Sequence, residues 1–238
     1  MPRDPGPCRW QLPDPALAPP GEELIATGAD LSAATLLAGY RRGLFGMPHR
    51  RRLLWLSPDP RGVLPLSGVH VARSLRRSSR DFGVSVDQAF AEVLAGCAAP
   101  GRPGGRWITA AYARTYRQLH EMGWAHSIEV WRNGELAGGL FGVELGGLFC
   151  GESMFHRVTD ASKTAVWATR TLLARGEALG RIFDVQWLTP HLASLGGIDV
   201  PRAVYLAALP AALALPAVLI AMPPVAAASL LAARPATG

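Results

Sequence analysis

Lysine is almost missing from this chain: Lys163 stands alone beside 23 arginines in a basic total of 24. Cysteine is scarce as well. Cys8, Cys97 and Cys150 are odd in number and far apart, without the paired spacing of a zinc site or a disulfide framework, so a reducing cytoplasm is the expected setting. No Gly-x4-Gly-Lys-Ser/Thr loop occurs, no dinucleotide fingerprint follows a strand, and the six histidines are scattered. These absences argue against nucleotide hydrolysis and zinc chemistry. The first 20 residues are rich in proline and carry no basic stretch followed by an apolar one, so no signal peptide is expected. Internal repeats are absent.

What remains is a globular composition. Of the 238 residues 49% are hydrophobic and 18% charged, enough for one large domain or two unequal ones with a buried core. The net charge of +6 rests on arginine, whose planar fork suits phosphate, so a nucleic-acid partner and a mere GC-rich codon bias both fit. From Ala203 to Ala233 no residue is charged, a length that would cross a bilayer. Pro210, Pro216, Pro223 and Pro224 interrupt it, however, and each break frees backbone groups that lipid cannot satisfy. A loosely ordered tail over residues 210–238 is expected instead of a membrane span.

Periodicity supplies the elements. Ser32 caps a helix with Leu36, Leu37, Tyr40 and Leu44 at helical spacing, ended by Gly43. Pro48, Pro58, Pro60 and Pro65 make residues 46–66 an extended loop or edge strand and a domain junction near residue 63. Further helices are predicted from about His70 to Arg80, through Asp87 to Cys97, from about Thr109 to Met122, and from a cap at Asp160 through Ala174. The run 100–105 is a loop. Ile128 and Val130 alternate with Ser127 and Glu129 up to the turn dipeptide Asn133–Gly134, and a hairpin continues through Leu136 to Val143. Ile182 to Leu188 reads as a last strand, with Phe183, Val185 and Trp187 on one face and Asp184 and Gln186 together on the other.

Three groups of residues could carry chemistry. Asp184 and Gln186 form either a small reacting centre or a hydrogen-bonded strand end, since a carboxylate and an amide in so apolar a strand need partners. In GLFCGESMF (147–155), Glu152 lies among Phe149, Met154 and Phe155 between Gly147 and Gly151; the apolar side chains suit either a ligand pocket or core. Arg73, Arg76, Arg77 and Arg80 repeat at i, i+3, i+4, i+7, which gives one basic stripe that either binds phosphates or faces solvent.

Taken in order, ADLSAATLLAGYRRGLF (29–45), WLSPDPR (55–61), HVARSLRR (70–77), WIT (107–109), LHEMGWAHSIEVW (119–131), GGLFGVELGGLFCGESMF (138–155), DASKTA (160–165) and DVQWLTPHLASLGGIDVPR (184–202) resemble the signature blocks of the bacterial leucyl/phenylalanyl-tRNA–protein transferase family. The resemblance covers residues 22 to 209. It implies an α/β (α+β) protein with a small N-terminal domain, residues 1–62, and a larger N-acetyltransferase-like (GNAT) domain, residues 63–209, holding a mixed sheet flanked by helices. It also implies transfer of Leu, Phe or Met from aminoacyl-tRNA to an N-terminal Arg or Lys of a protein, by a monomer, without metal or other cofactor, marking the acceptor for regulated degradation.

Residue by residue, the resemblance makes Asp184 and Gln186 the catalytic pair and sets Glu152 in the polar network near the peptide's cationic end. Trp107, Leu140, Phe149 and Met154 match the pocket for the transferred side chain, Tyr40 and Tyr116 the surroundings of the terminal adenosine, where stacking would hold the base. The stripe from Arg73 to Arg80 would meet the acceptor stem through its backbone charge. This chain departs from the family's pattern at Gly46 and Met47, where Pro-Trp is usual, at Leu56, at Val185, and in the tail after Leu209. An acyl-CoA-dependent N-acyltransferase on the same fold and a tRNA-binding relative without catalysis are the alternatives. The first would need a pyrophosphate loop, and RGEALG (175–180) precedes a strand where such a loop should open a helix.

Overall fold

The computed structural model describes residues 1–50, 52–67, 71–101, 107–175 and 179–232. Two sheets organise it. A small antiparallel sheet has the order β1 (Leu24–Thr27), β3 (Arg52–Leu56), β2 (Phe45–His49). The large mixed sheet has the order β10 (Ile198–Val200), β4 (Arg61–Val63), β9 (Ile182–Gln186), β8 (Leu148–His156), β7 (Glu135–Leu145), β6 (Ala125–Arg132), β5 (Gly83–Val86), β11 (Met222–Ala226). Only β8 and β9 pair in parallel; the other neighbours run antiparallel. The fold is thus α+β, with a mixed sheet between helices.

Each face of the large sheet carries its own core. On one, α1 (Ala33–Tyr40), α3 (Phe90–Cys97), α4 (Ala110–Glu121) and α7 (Arg202–Ala214) bury Leu37, Phe90, Tyr116, Phe141 and Tyr205. On the other, α2 (Arg73–Ser78), α5 (Ala161–Leu173), α6 (Pro190–Ser194) and α8 (Ala227–Ala232) pack over Val84, Leu140, Phe149 and Phe183. Because both faces are covered, the polar residues that alternate along β6 do not reach solvent. Ser127 and Glu129 are fully buried, and Glu129 accepts hydrogen bonds from Ser85, Ser127 and the backbone amides of Gln88 and Ala89. These four donors offset part of the cost of burying the carboxylate, but burial still wins and pushes the Glu129 carboxyl above its ordinary value.

Local signals act largely as the sequence suggests. Ser32 and Thr109 accept from the amides of Thr35 and Tyr112 and so cap α1 and α4. Asn133 and Gly134 both have positive φ (53° and 80°), as a two-residue hairpin turn requires. Asp160 precedes α5 but makes no side-chain cap; its carboxylate binds Ser78 and Lys163 instead. Asp87, expected inside α3, lies before it with φ 59° and holds the Ser127 amide and His126. The expected helix start at His70, the Gly/Pro run 102–105 and the centre of RGEALG fall outside the described residues.

Two expectations change. Residues 46–66, expected as extended loop or edge strand, do hold an edge strand in β2, which carries Pro48 and pairs only with β3; β3 and β4 are internal strands instead, β4 between β9 and β10, because Pro58, Pro60 and Pro65 lie outside the strands and leave their amides free to pair. Of the expected loosely ordered tail, residues 210–232 are built into the fold, and residues 233–238 lie outside the described residues. Pro210 sits inside α7 on its exposed side, where water can satisfy the carbonyl that loses its donor. Beyond it β11 extends the large sheet, and Leu219, Ala227, Leu230 and Leu231 are buried in the second core. No helix among the described residues is long and apolar enough to cross a membrane.

Candidate active site

Strands β8 and β9 pair only over Leu148↔Ile182, Phe149↔Phe183 and Cys150↔Asp184. Past that point they part, and a cavity of about 220 Å³ fills the wedge. From β8 its walls take Gly151, Glu152, Ser153 and Met154; from β9 they take Phe183, Val185 and Gln186. Leu64, Leu140, Val166, Thr189 and Leu192 complete the lining. Carbon dominates this surface, and Glu152, Ser153, Gln186 and Thr189 are its polar residues.

Both strands are irregular here. On β8 the register against β7 steps from Phe141↔Ser153 to Gly142↔Gly151, which leaves Glu152 as the extra residue of a bulge. Bulges turn a side chain out of the alternation. Gly142 makes room for this one: a Cβ there would lie 2.3 Å from the Cys150 carbonyl oxygen and 2.5 Å from the Phe149 ring. On β9, Gln186 has φ 60°, and the Trp187 amide donates to the Val185 carbonyl at 2.7 Å, a γ-turn that ends the strand. A non-glycine residue held at positive φ stores strain that the surroundings must enforce.

The turn also breaks the expected alternation. Trp187 leaves the strand, stacks edge-on against Phe45 at 4.9 Å and donates to Glu23. Gln186 joins the cavity, whereas Asp184 is fully buried beside it and faces the first core. With its amide oriented to suit its neighbours, the Gln186 nitrogen donates to the carbonyls of Gly151 and Val185, 3.1 Å each, and so bridges the parted strands.

Asp184 is held from several sides. Arg61 forks onto it, Nε to Oδ1 at 2.8 Å and Nη2 to Oδ2 at 2.6 Å, and the Tyr205 hydroxyl donates at 3.0 Å. The Gln186 backbone amide donates to Oδ1 at 2.9 Å. Arg61 is equally buried, sits over the Tyr205 ring at 4.5 Å, and gives its remaining nitrogen to the Gly43 carbonyl. Burial opposes the guanidinium charge, but the Asp184 carboxylate outweighs it and holds Arg61 protonated. This buried fork ties β4, β9 and α7 into one unit. Sequence reasoning passed over Arg61 and Tyr205. The signal was there for Arg61, since a buried Asp184 demands a cation and WLSPDPR ends in one.

Glu152 has different company. The hydroxyls of Tyr40 and Tyr116 donate to Oε1 and Oε2, 2.7 Å each, and lie 3.1 Å from one another. Burial pushes the Glu152 carboxyl up to about 7 although both tyrosines pull it down. Because the folded value lies above the ordinary 4.5, the folded state gains protons relative to the unfolded chain. Stability is therefore full below about pH 4.5, falls as pH rises toward 7, and levels off above, a loss of roughly 3 kcal/mol at most. Glu152→Gln cannot ionise. His126, Glu129 and Glu144 are also raised and keep some decline in any variant, so between pH 5 and 8 the melting temperature of Glu152→Gln should fall by several degrees less than the parent's; parallel curves in calorimetry would refute the assignment.

The expected site residues thus divide. Leu140, Glu152, Met154 and Gln186 line the cavity, and Asp184 backs it. Phe149 does not line it, because it lies in the paired part of β8 and packs edge-on against Phe183 at 5.3 Å. Trp107 belongs to the other face of the sheet, edge-on to Tyr112 and Tyr116. Tyr40 and Tyr116 present hydroxyls to Glu152, but their rings are 1% exposed, so no ring face is open for stacking as expected. Met47 and Gly46 lie on β2, and Gly46 packs beneath the Tyr112 hydroxyl. Arg73, Arg76 and Arg77 on α2 and Arg80 on the following 3₁₀ turn (Ser79–Asp81) are all exposed, while Leu75 and Ser79 anchor the segment inward.

Comparison with known proteins identifies the family of the chain. A family model described as leucyl/phenylalanyl-tRNA protein transferase matches residues 63–210. A protein of Aeromonas hydrophila named leucyl/phenylalanyl-tRNA–protein transferase is 45% identical over 207 residues, covering 85% of this chain and 86% of its own length. Relatives of the same name from Klebsiella pneumoniae and Nitratidesulfovibrio vulgaris are 47% and 46% identical, covering 82% and 83% of this chain and 82% and 86% of their own. The chain belongs to this family. As a leucyl/phenylalanyl-tRNA–protein transferase family member it is an enzyme, an aminoacyltransferase, and the resemblance of its sequence blocks is borne out.

Proposed function

We propose that this enzyme moves leucine or phenylalanine, less often methionine, from aminoacyl-tRNA onto the N-terminal Arg or Lys of cytoplasmic proteins, which exposes them to regulated degradation. The observation that carries the reading is the wedge between β8 and β9: an apolar cavity of about 220 Å³, a size suited to one branched or aromatic side chain, with the Gln186 amide at its edge. Residues 63–209 form the catalytic part, with residues 1–62 contributing Tyr40 and Arg61 to the site's support.

An aminoacyl ester is already activated, and an α-amino group with a pKa near 8 has a useful neutral fraction at neutral pH. The enzyme's work is positioning. The amine nitrogen attacks the ester carbonyl carbon, the bond to the ribose oxygen breaks, and the amine's proton ends on that oxygen. Gln186 orients the amine through its side-chain oxygen; an amide is an acceptor here, not a base. Asp184, with both oxygens engaged, acts as a positioning residue that fixes the Gln186 backbone. Arg73, Arg76, Arg77 and Arg80 hold the acceptor stem by its phosphates.

The test incubates the protein with labelled Leu-, Phe- or Met-tRNA and a peptide beginning with Arg or Lys, with labelled acetyl-CoA in parallel. Label should pass to the peptide from Leu- and Phe-tRNA most readily. Label arriving only from acetyl-CoA would overturn the reading in favour of an acyl-CoA-dependent enzyme.

A further inference from the structure

The family model stops at residue 210, yet the described residues beyond it, 211–232, are tied down along their length. The Gly147 amide donates to the Ala212 carbonyl at 2.7 Å, and Arg181 Nη2 to the Pro216 carbonyl at 2.8 Å. Glu144, only 2% exposed, then accepts the backbone amides of Val218 and Leu219 at 2.9 to 3.3 Å. A buried carboxylate facing successive amides is a strong anchor. From there β11 pairs with β5, Met222 against Val86 and Ala226 against Gly83.

The last turn reaches the arginines. The Ala227 amide donates to the Phe82 carbonyl at 2.9 Å, and α8 packs on both α5 and the 3₁₀ turn that carries Arg80. On its opposite side the arginine segment is fastened to α5, Ser78 Oγ to Asp160 at 2.8 Å and Ser79 Oγ to Thr164 at 2.9 Å. A six-residue helix such as α2 has little stability of its own. Its order comes from these two clamps, one of which is the tail.

We propose that residues 215–232 are a strap that pre-orders the arginine-bearing segment, residues 73–81, and thereby sets how tightly the enzyme holds tRNA. The inference rests on the reading of these arginines as the RNA contact. A segment ordered before binding does not lose that entropy on binding, so releasing the strap weakens affinity without touching the wedge, whose lining includes no residue of the tail.

The experiment uses the full chain with Leu230→Ala and Leu231→Ala together, which loosens α8, and separately Glu144→Gln, which weakens the anchor at Val218 and Leu219. Each should bind Leu-tRNA about 10-fold more weakly, with faster amide hydrogen exchange over residues 73–81. The KM for tRNA should rise by a similar factor at unchanged kcat, and transfer from a leucyl-adenosine ester, too small to touch the arginines, should be unaltered. Unchanged affinity in both variants overturns the strap. So does an equal loss of transfer from the large and the small donor, the mark of a merely structural role. If reversing the charge of Arg76 and Arg77 also leaves tRNA binding intact, the fault lies in the RNA reading itself, and the strap falls with it.

Discussion

Asparagine at position 184 is expected to lower stability by about 3–5 kcal/mol and to abolish transfer, because it leaves the Arg61 guanidinium buried without its counter-charge. Against a typical total of about 5–15 kcal/mol this is severe, and the melting temperature should fall by roughly 6–20 °C. Loss of activity alone would then prove little about chemistry. Replacing both partners, Arg61→Met with Asp184→Leu, removes the charge pair together, and such exchanges are often neutral or stabilising. The double variant should recover most of the melting temperature while transfer stays low, since the carboxylate that fixes the Gln186 amide is gone. Gln186→Ala keeps the pair and should lower kcat by about 100-fold, with a smaller fall in melting temperature than the Asn variant because it gives up only the bonds to the Gly151 and Val185 carbonyls. A fully active double variant would remove Asp184 from the mechanism.

Charge reversal of Arg76 and Arg77 should act on binding alone. Both side chains are exposed, and neither forms a salt bridge among the described residues, so stability should change by no more than about 0.5 kcal/mol. Every phosphate that goes without its arginine keeps close to one counterion, so the slope of log K against log salt should flatten by about 1.5–2. Affinity at low salt should drop by at least ~10-fold, and the difference from the parent should narrow as salt rises. A slope identical to the parent's, measured by filter binding over a salt series, would show that these arginines face water.

Elements whose cause is local were legible in the sequence. Ser32 and Thr109 cap because a hydroxyl can reach the amide three residues on, and Asn133–Gly134 turns because both residues tolerate positive φ. Gln186 and Glu152 were legible as polar residues in apolar surroundings. Where they point was not, because a bulge and a γ-turn reset the two-residue period at the positions that matter. The partnership of Arg61 with Asp184 spans 123 residues, a separation over which periodicity carries no information. The tail misled for a related reason. Its prolines read as breaks, but Pro210 faces solvent on α7, Pro223 and Pro224 fall at the irregularity of β11, and the segment is ordered by distant partners, Glu144 among them.

The single extra residue in β8 also decides what kind of change the sheet can tolerate. Gly142 faces Gly151 and Phe141 faces Ser153, so the ladder is in step on both sides of Glu152. Removing Glu152 outright would let Gly151 and Ser153 follow one another opposite Gly142 and Phe141, a regular ladder with no slip elsewhere. A deletion, usually the harshest edit in a strand, should here yield a well-paired sheet with the bulge beside the cavity erased, and on the reading proposed above that protein would bind RNA yet transfer poorly, which separates RNA capture from transfer.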